Sequence, residues 1–215
     1  GTRGRRTETV VFKTLRLDRE VNEVPPEPGH NVILTLDPDL QRAANEALQW
    51  AHRGELQLTR GAVVVIEPYT GEVLAMSTWP TYDLAQYREP EYFRNIIEDR
   101  LAPLLNRPVA AQLPPGSVFK LVTGTAGLQS RAISGGTHIT CHGSITHQGR
   151  RFRCHGPDGS ISIVTAIERS CNVFFYKTAE RLGGRRLKRY AAVFGFGQET
   201  GLDLPAEKDG NLIEP

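Results

Sequence analysis

The feature that most constrains this chain is the stretch LPPGSVFKLV at residues 113–122, where turn residues run directly into an apolar helix. Two prolines and a glycine disfavour helix before Ser117, and no helix breaker follows until Gly124. Ser117 is therefore predicted in the first helical turn, where free backbone N–H groups and positive potential favour an alkoxide or an oxyanion. We predict that Ser117 is a nucleophile.

A base for this serine is available three residues later, at Lys120. Side chains at this spacing share one helical face, with Cβ atoms about 5–6 Å apart. The apolar residues around them predict a central helix buried on nearly every side, and burial disfavours the charged ammonium. The alternative is an accidental Ser-x-x-Lys match, although a lysine in such a helix is costly unless it is used.

A second polar group, Ser170-Cys171-Asn172, lies at the junction between two predicted helices. It offers two hydrogen-bonding side chains one residue apart. In isolation the pattern fits helix capping equally well.

Composition excludes some classes of protein. The 215 residues include 26 basic and 24 acidic ones, a net charge of +2 that argues against a nucleic-acid surface. No apolar run could span a bilayer, and the N-terminus has no signal-peptide pattern. The proline-rich residues 25–29 predict a domain boundary near Gly29.

Hydrophobic spacing predicts the remaining elements. We predict an extended segment over 7–17, a strand over 31–36, a helix from Asp37-Pro38 to Gly54, and a hairpin of residues 61–67 and 72–77. Residues 79–107 are predicted as loop and short helix, forming the wall of a cleft. A glycine-rich excursion follows the central helix, and further helices are predicted over 162–169, 173–182 and 187–194.

Together, Ser117-Val118-Phe119-Lys120 and Ser170-Cys171-Asn172 resemble the Ser-x-x-Lys and Ser-x-Asn motifs of penicillin-binding proteins and β-lactamases. The resemblance runs from about Val32 to the end and includes PYTGE at 68–72, WPTYD at 79–83 and NRP at 106–108. It is greatest to the class B, elongation (rod-shape) type. It implies an α+β transpeptidase fold, an antiparallel sheet flanked by helices. Residues 1–30 would end the N-terminal non-catalytic pedestal, and residues 31–215 would be the transpeptidase domain.

The resemblance implies D,D-transpeptidation of peptidoglycan stem peptides ending in D-Ala-D-Ala, with β-lactams as inhibitors and no catalytic cofactor. Ser117 would attack the penultimate D-Ala carbonyl, and Lys120 would be the base for acylation. Ser170 would relay a proton to the leaving amine, and Asn172 would hold the substrate amide.

The family's Lys-Thr-Gly strand, which supplies half of the oxyanion hole, is not found, because Lys177-Thr178-Ala179 falls inside a predicted helix. We therefore expect a chain truncated at both ends, lacking a transmembrane anchor and the last sheet strands, and acylated weakly or not at all on its own. The resemblance places the parent enzyme on the periplasmic face of the bacterial inner membrane. Its partners would be a glycan polymerase of the SEDS family and rod-complex proteins.

All three cysteines fall between residues 141 and 171. Cys141, Cys154, His155 and Cys171 supply three thiolates and an imidazole, a set that suits tetrahedral zinc. Some elongation-type relatives have a metal site that includes the residue inside the Ser-x-Asn motif, which favours Cys171 as a ligand. The alternatives are a Cys141–Cys154 disulfide with Cys171 as a buried thiol, or three unlinked cysteines.

Two rival functions are left open. A β-lactamase or β-lactam sensor of the same superfamily would need a deacylating base over Ser117, and no glutamate-bearing loop can be assigned to that role. A non-enzymatic scaffold of the wall-synthesis complex would have no need of Ser117, Lys120, Ser170 and Asn172 together.

Overall fold

The computed structural model describes the backbone of residues 5–13 and 16–212, and the side chains of all of these except residues 7–13 and 16–22. The chain divides into two compact units. The first comprises Gly1–Ala44 and Val64–Met76, and the second comprises Asn45–Val63 and Ser77–Pro215. Among the described helices, none is long and apolar enough to cross a membrane.

The first unit begins with an antiparallel hairpin of β1 (Arg5–Lys13) and β2 (Arg16–Val24). The extended segment predicted over 7–17 falls in this hairpin, except for residues 14–15, which lie outside the described residues. The strand predicted over 31–36 is wrong, because this segment makes single hydrogen bonds instead of a ladder. The Thr35 hydroxyl donates to the Val73 carbonyl at 2.6 Å, and Ile33 is 95% exposed.

Helix α1 (Pro38–Arg53) starts where its cap predicts. The Asp37 carboxylate accepts hydrogen bonds from the backbone N–H groups of Asp39 and Leu40, at 2.8 and 2.9 Å. Strands β3 (Gly61–Ile66) and β4 (Val73–Trp79) then pair across a tight turn. The predicted helix and hairpin are both confirmed.

The second unit contains most of the helices and two small antiparallel sheets. After α2 (Pro90–Glu98) and α3 (Arg107–Ala110) come a 3₁₀ turn (Gly116–Val118), α4 (Phe119–Gln129), α5 (Ile163–Glu168), α6 (Asn172–Leu182) and α7 (Gly184–Val193). The excursion between α4 and α5 forms β5 (Ile139–Cys141) paired with β8 (Gly159–Ile161), and β6 (Ser144–His147) paired with β7 (Arg150–Arg153).

Helix α4 packs against α5, α6 and α7. Its buried face includes Val122 and Ala126, and Phe174 on α6 is completely buried in the neighbouring core. The opposite face is exposed, with Leu121 at 55% and Leu128 at 41%. The prediction of a helix buried on nearly every side is therefore wrong for the described residues, among which the neighbouring helices pack along one face.

Gly127 lies where α4 packs tightly against its neighbours. A Cβ added there would lie 2.8 Å from Thr178 Cγ2 and 2.9 Å from Ile133 Cγ1, and both of these side chains are buried. We expect Gly127→Ala to lower the free energy of unfolding by about 1–3 kcal/mol, as measured by urea denaturation. Gly135→Ala is the control, because its Cβ would meet no atom within 4 Å and should change stability by less than about 0.5 kcal/mol. Equal effects of both changes would contradict the close packing.

Candidate active site

Ser117 lies at an exposed elbow in front of α4. Gly116 before it has a φ of +60°, which favours glycine, and a Cβ there would meet nothing within 4 Å. Ser117 itself belongs to the 3₁₀ turn that continues directly into α4. The sequence-predicted nucleophile thus lies in the first helical turn, with its hydroxyl accessible from solvent.

Lys120 is half-buried and its ammonium nitrogen is surrounded by acceptors. Lys120 Nζ lies 2.6 Å from the Ser170 carbonyl oxygen, 2.8 Å from Ser170 Oγ and 2.7 Å from Asn172 Oδ1. The ring of Phe175 is 5.9 Å away on a further side. The fold thus brings together residues that are about fifty positions apart in sequence.

Ser170 links Lys120 to the elbow. Its Oγ is 3.2 Å from Ser117 Oγ, so Lys120 Nζ, Ser170 Oγ and Ser117 Oγ form a continuous line of hydrogen-bond contacts. Ser170 has a φ of +52°, in the left-handed region that a serine rarely occupies. Such strain persists only where the surroundings hold it, and it is concentrated at functional sites.

Asn172 is fixed from both its backbone and its side chain. Its Nδ2 donates to the Arg153 carbonyl at 3.0 Å, and its backbone N–H donates to Cys154 Sγ at 3.2 Å. Because Nδ2 faces the carbonyl, the amide oxygen must face Lys120. In this structure Asn172 orients Lys120, while its predicted contact with a substrate amide stays a prediction.

Burial lowers the pKa of Lys120 from its ordinary value. Ionised thiolates at Cys154 and Cys171 would act in the opposite direction, but the loss of hydration is the larger effect. A lowered pKa increases the fraction of neutral amine at a given pH, and only the neutral amine can accept a proton.

A cluster of three thiols and one carboxylate lies behind the site. The ligand atoms of Cys141, Cys154, Asp158 and Cys171 all lie within 4.8 Å of one another, and Cys141 and Cys171 are buried. All three cysteines are free thiols. The Asp158 carboxylate occupies the place predicted for the His155 imidazole, so the ligand set predicted from the sequence needs this correction.

The pairing of β5 with β8 explains why Asp158, and not His155, lies among the thiols. Gly159 lies opposite Cys141 in the ladder, which brings the preceding residue, Asp158, beside the Cys141 thiol. His155 follows Cys154 directly and is exposed. A sequence signal for Asp158 was present but weak, since it is the one acidic residue between positions 135 and 161.

The geometry of the cluster fits a tetrahedral metal. Cys154 Sγ lies 3.8 Å from Cys171 Sγ and 3.7 Å from Asp158 Oδ2. Zinc bonds of about 2.3 Å to sulfur at tetrahedral angles place two thiolates about 3.8 Å apart. Backbone N–H groups also point at the sulfurs, since Gly143 N–H donates to Cys141 Sγ at 3.4 Å, as expected for groups that support thiolate ligands.

Known proteins resemble this chain in sequence and in fold. The family described as "Penicillin binding protein transpeptidase domain" matches residues 61–215. The peptidoglycan D,D-transpeptidase MrdA of Escherichia coli K12 is 31% identical over 212 residues, which cover 95% of this chain and 32% of that protein. This chain thus spans about a third of the length of that curated relative.

Solved structures agree with the sequence match. A peptidoglycan synthase complex, studied for the coordination of polymerization and crosslinking, contains a chain 37% identical to this one, with a TM-score of 0.78 over 99% of this chain and 40% of that one. The ceftriaxone acyl-enzyme complex of penicillin-binding protein A from M. tuberculosis is 27% identical, with a TM-score of 0.76 over 89% and 45% of the two chains. The chain therefore belongs to the penicillin-binding protein transpeptidase family, and its relatives include the class B enzymes of the MrdA type.

Proposed function

We propose that the protein is a D,D-transpeptidase that cross-links peptidoglycan stem peptides through an acyl-enzyme on Ser117. The observation that carries this proposal is the line of contacts from Lys120 through Ser170 to Ser117, which connects a partly buried amine to an exposed hydroxyl. The names of its relatives support the reaction class, and the ceftriaxone complex of one relative supports acylation as its chemistry.

The contacts of Lys120 support a direction of proton transfer from Ser117 towards Lys120 when the amine is neutral. A neutral amine has two N–H bonds and one lone pair, and the Ser170 carbonyl and Asn172 Oδ1 can only accept hydrogen bonds. In the charged form Lys120 Nζ also donates to Ser170 Oγ, but in the neutral form the two carbonyl-type oxygens would take the two N–H bonds and the lone pair would face Ser170 Oγ. As Ser117 attacks, its proton passes to Ser170 Oγ while the Ser170 proton passes to Lys120.

The same line can run in reverse when the leaving group departs. The protonated Lys120 returns its proton through Ser170 to the amine of the released D-Ala. An amine of a second strand then attacks the acyl carbonyl, the bond from that carbon to Ser117 Oγ breaks, and the proton lost by the amine passes through Lys120 and Ser170 to Ser117 Oγ. We propose β-lactams as inhibitors that acylate Ser117 in place of the stem peptide. A glycan polymerase of the SEDS family and rod-complex proteins are the proposed partners on the periplasmic side of the inner membrane, supported by the relative found in a peptidoglycan synthase complex.

The test uses the full-length protein, a pentapeptide ending in D-Ala-D-Ala, and an acceptor amine. We expect release of D-Ala together with a peptide joined to the acceptor, both detected by mass spectrometry. Lys120→Met should reduce both rates by about 10²–10⁴-fold, the usual contribution of a general base. Rapid turnover of penicillin without transfer to the acceptor would instead identify a β-lactamase, and neither reaction in a folded protein would identify a scaffold.

The rate of acylation should depend on pH through Lys120. Because burial lowers the pKa of Lys120, the neutral base accumulates as pH rises, and acylation should accelerate with pH and level off below the value of about 10.4 of an exposed lysine. The check is the second-order rate constant with a chromogenic cephalosporin between about pH 6 and pH 10. Lys177→Met, which removes a lysine outside this network, should leave the inflection in place. A rate independent of pH would contradict the role of Lys120.

We also propose that Cys141, Cys154, Asp158 and Cys171 hold a structural zinc ion. The separations of the donor atoms and their partial burial support this assignment. Bound zinc would supply coordinate bonds that fix the loop containing Ser170 and Asn172, since Cys171 lies between these two residues. The reaction at Ser117 needs no chemistry from the metal.

A further inference from the structure

An open cleft of about 580 Å³ lies between the β6–β7 hairpin, α6 and the start of α7. The hairpin register places Ile145 opposite Phe152 and His147 opposite Arg150. Since alternate residues of a strand share one face, all four of these side chains lie on the same side of the hairpin. Ile145, His147 and Phe152 line the cleft, and the guanidinium of Arg150 lies 5.4 Å from the Phe152 ring centre.

The facing wall is one stripe of α6. Tyr176, Ala179 and Glu180 follow at helical spacing and line the cleft, together with Gly183 directly after the helix. The rings of Phe152 and Tyr176 meet edge to face at 5.6 Å, and the Glu180 carboxylate lies 2.8 Å from His147 Nδ1. The cleft therefore has an aromatic floor of Phe152 and Tyr176. The carboxylate of Glu180 on α6 is paired with His147.

The elements that form this cleft are rich in basic residues, counted on both of their faces; Arg150 shares the cleft side of the hairpin, whereas Arg151 and Arg153 lie on its other side. Residues 144–153 and 176–189 contain nine lysines and arginines against one acidic residue, which leaves 17 basic and 23 acidic residues in the rest of the chain. Arg150 is exposed on the hairpin, and Arg185 and Arg186 are exposed in the first turn of α7. Positive charge is thus concentrated here in a chain that is otherwise net acidic.

We propose that this cleft binds an acidic peptide segment of a partner protein, anchored by an aromatic or large aliphatic side chain. The basic rim complements glutamate and aspartate, and charge complementarity of this kind gives specificity and speeds association. The apolar floor is recessed between three elements, so it fits a side chain that projects from the partner. A flat lipid surface would need apolar groups that project from the protein instead.

The test is binding of a pooled library of nine-residue peptides, with phenylalanine fixed at the centre and all other positions randomised, to the full-length protein. Bound peptides are identified by mass spectrometry. We expect several-fold enrichment of Asp and Glu beside the central Phe. The double change Arg150→Glu, Arg186→Glu should weaken the enriched peptides by at least about tenfold. Ala179→Trp, which fills the cleft without changing charge, should also weaken them. The double change Arg88→Glu, Arg94→Glu at exposed positions elsewhere is the matched control and should have no effect.

Three results would overturn the proposal. The first is a bound pool with no enrichment of acidic residues, and the second is enrichment that survives both cleft variants. The third is binding to phosphatidylglycerol vesicles that the double charge reversal abolishes, in the absence of peptide enrichment, since that would make the patch a membrane contact. Unchanged melting temperatures for the variants separate a loss of binding from a loss of folding.

Discussion

Replacing Ser117 by alanine is expected to abolish covalent labelling by penicillin. The wild-type full-length protein should gain the mass of one penicillin molecule, whereas Ser117→Ala should react at least about 10⁴-fold more slowly, because no other group replaces an activated nucleophile. Ser117 is exposed, and its described side-chain contact is with Ser170. The change therefore removes the attacking oxygen with little expected effect on the fold.

Intact mass spectrometry with time is the measurement, and Ser160→Ala is the control because it removes an exposed hydroxyl on β8. That variant should be labelled like the wild type. A penicillin adduct on Ser117→Ala, mapped by peptide digestion to another residue, would overturn the assignment of the nucleophile. A wild-type adduct that persists for hours would favour a transpeptidase over a hydrolase.

Removal of zinc is expected to have the second large effect, on stability. A metal that binds only the native state stabilises it by about 4 kcal/mol when its concentration is 1,000 times its dissociation constant. For a protein of this size each kcal/mol corresponds to about 2–4 °C in melting temperature. A chelator should therefore lower the melting temperature by roughly 8–16 °C. Protein purified without chelators should contain close to one zinc per chain by elemental analysis.

Two single substitutions distinguish the proposed zinc ligands, which include Asp158, from the set predicted by sequence, which includes His155. Asp158→Asn should greatly reduce the zinc content, whereas His155→Ala should leave it near that of the wild type, because Asp158 and not His155 lies among the thiols. Cys154→Ser should reduce the zinc content as well. Loss of zinc in His155→Ala equal to that in Asp158→Asn would contradict the cluster, and so would a wild-type protein purified without metal.

Local signals explain which parts of the fold were predictable. The cap at Asp37, the turn between β3 and β4, and the Pro-Pro-Gly elbow are each set by residues within a few positions of one another. Ser117 and Lys120 share a helical face for the same reason. The strand predicted over 31–36 failed because a strand needs a continuous partner, and neighbouring sequence carries no information about that partner.

The rest of the candidate site depends on contacts distant in sequence. Ser170 and Asn172 were identified through the resemblance of their motif, and their contacts with Lys120 follow from the packing of α4 against α6. Asp158 was missed because its position depends on the β5–β8 register. The Arg153 carbonyl, which holds Asn172, could not be predicted, since every residue has such a group and side-chain identity does not reveal which one is used.

The end of strand β7 supports Asn172 at two adjacent points, the Arg153 carbonyl and the Cys154 sulfur. These two groups belong to consecutive residues, so a displacement of the strand end moves both together. Both contacts of Asn172 would then change together, and with them the position of Asn172 Oδ1 beside Lys120 Nζ. A change in the position of the β6–β7 hairpin would therefore be expected to reach Lys120 through Asn172, and Phe152, which lines the cleft, directly precedes Arg153 in the same strand.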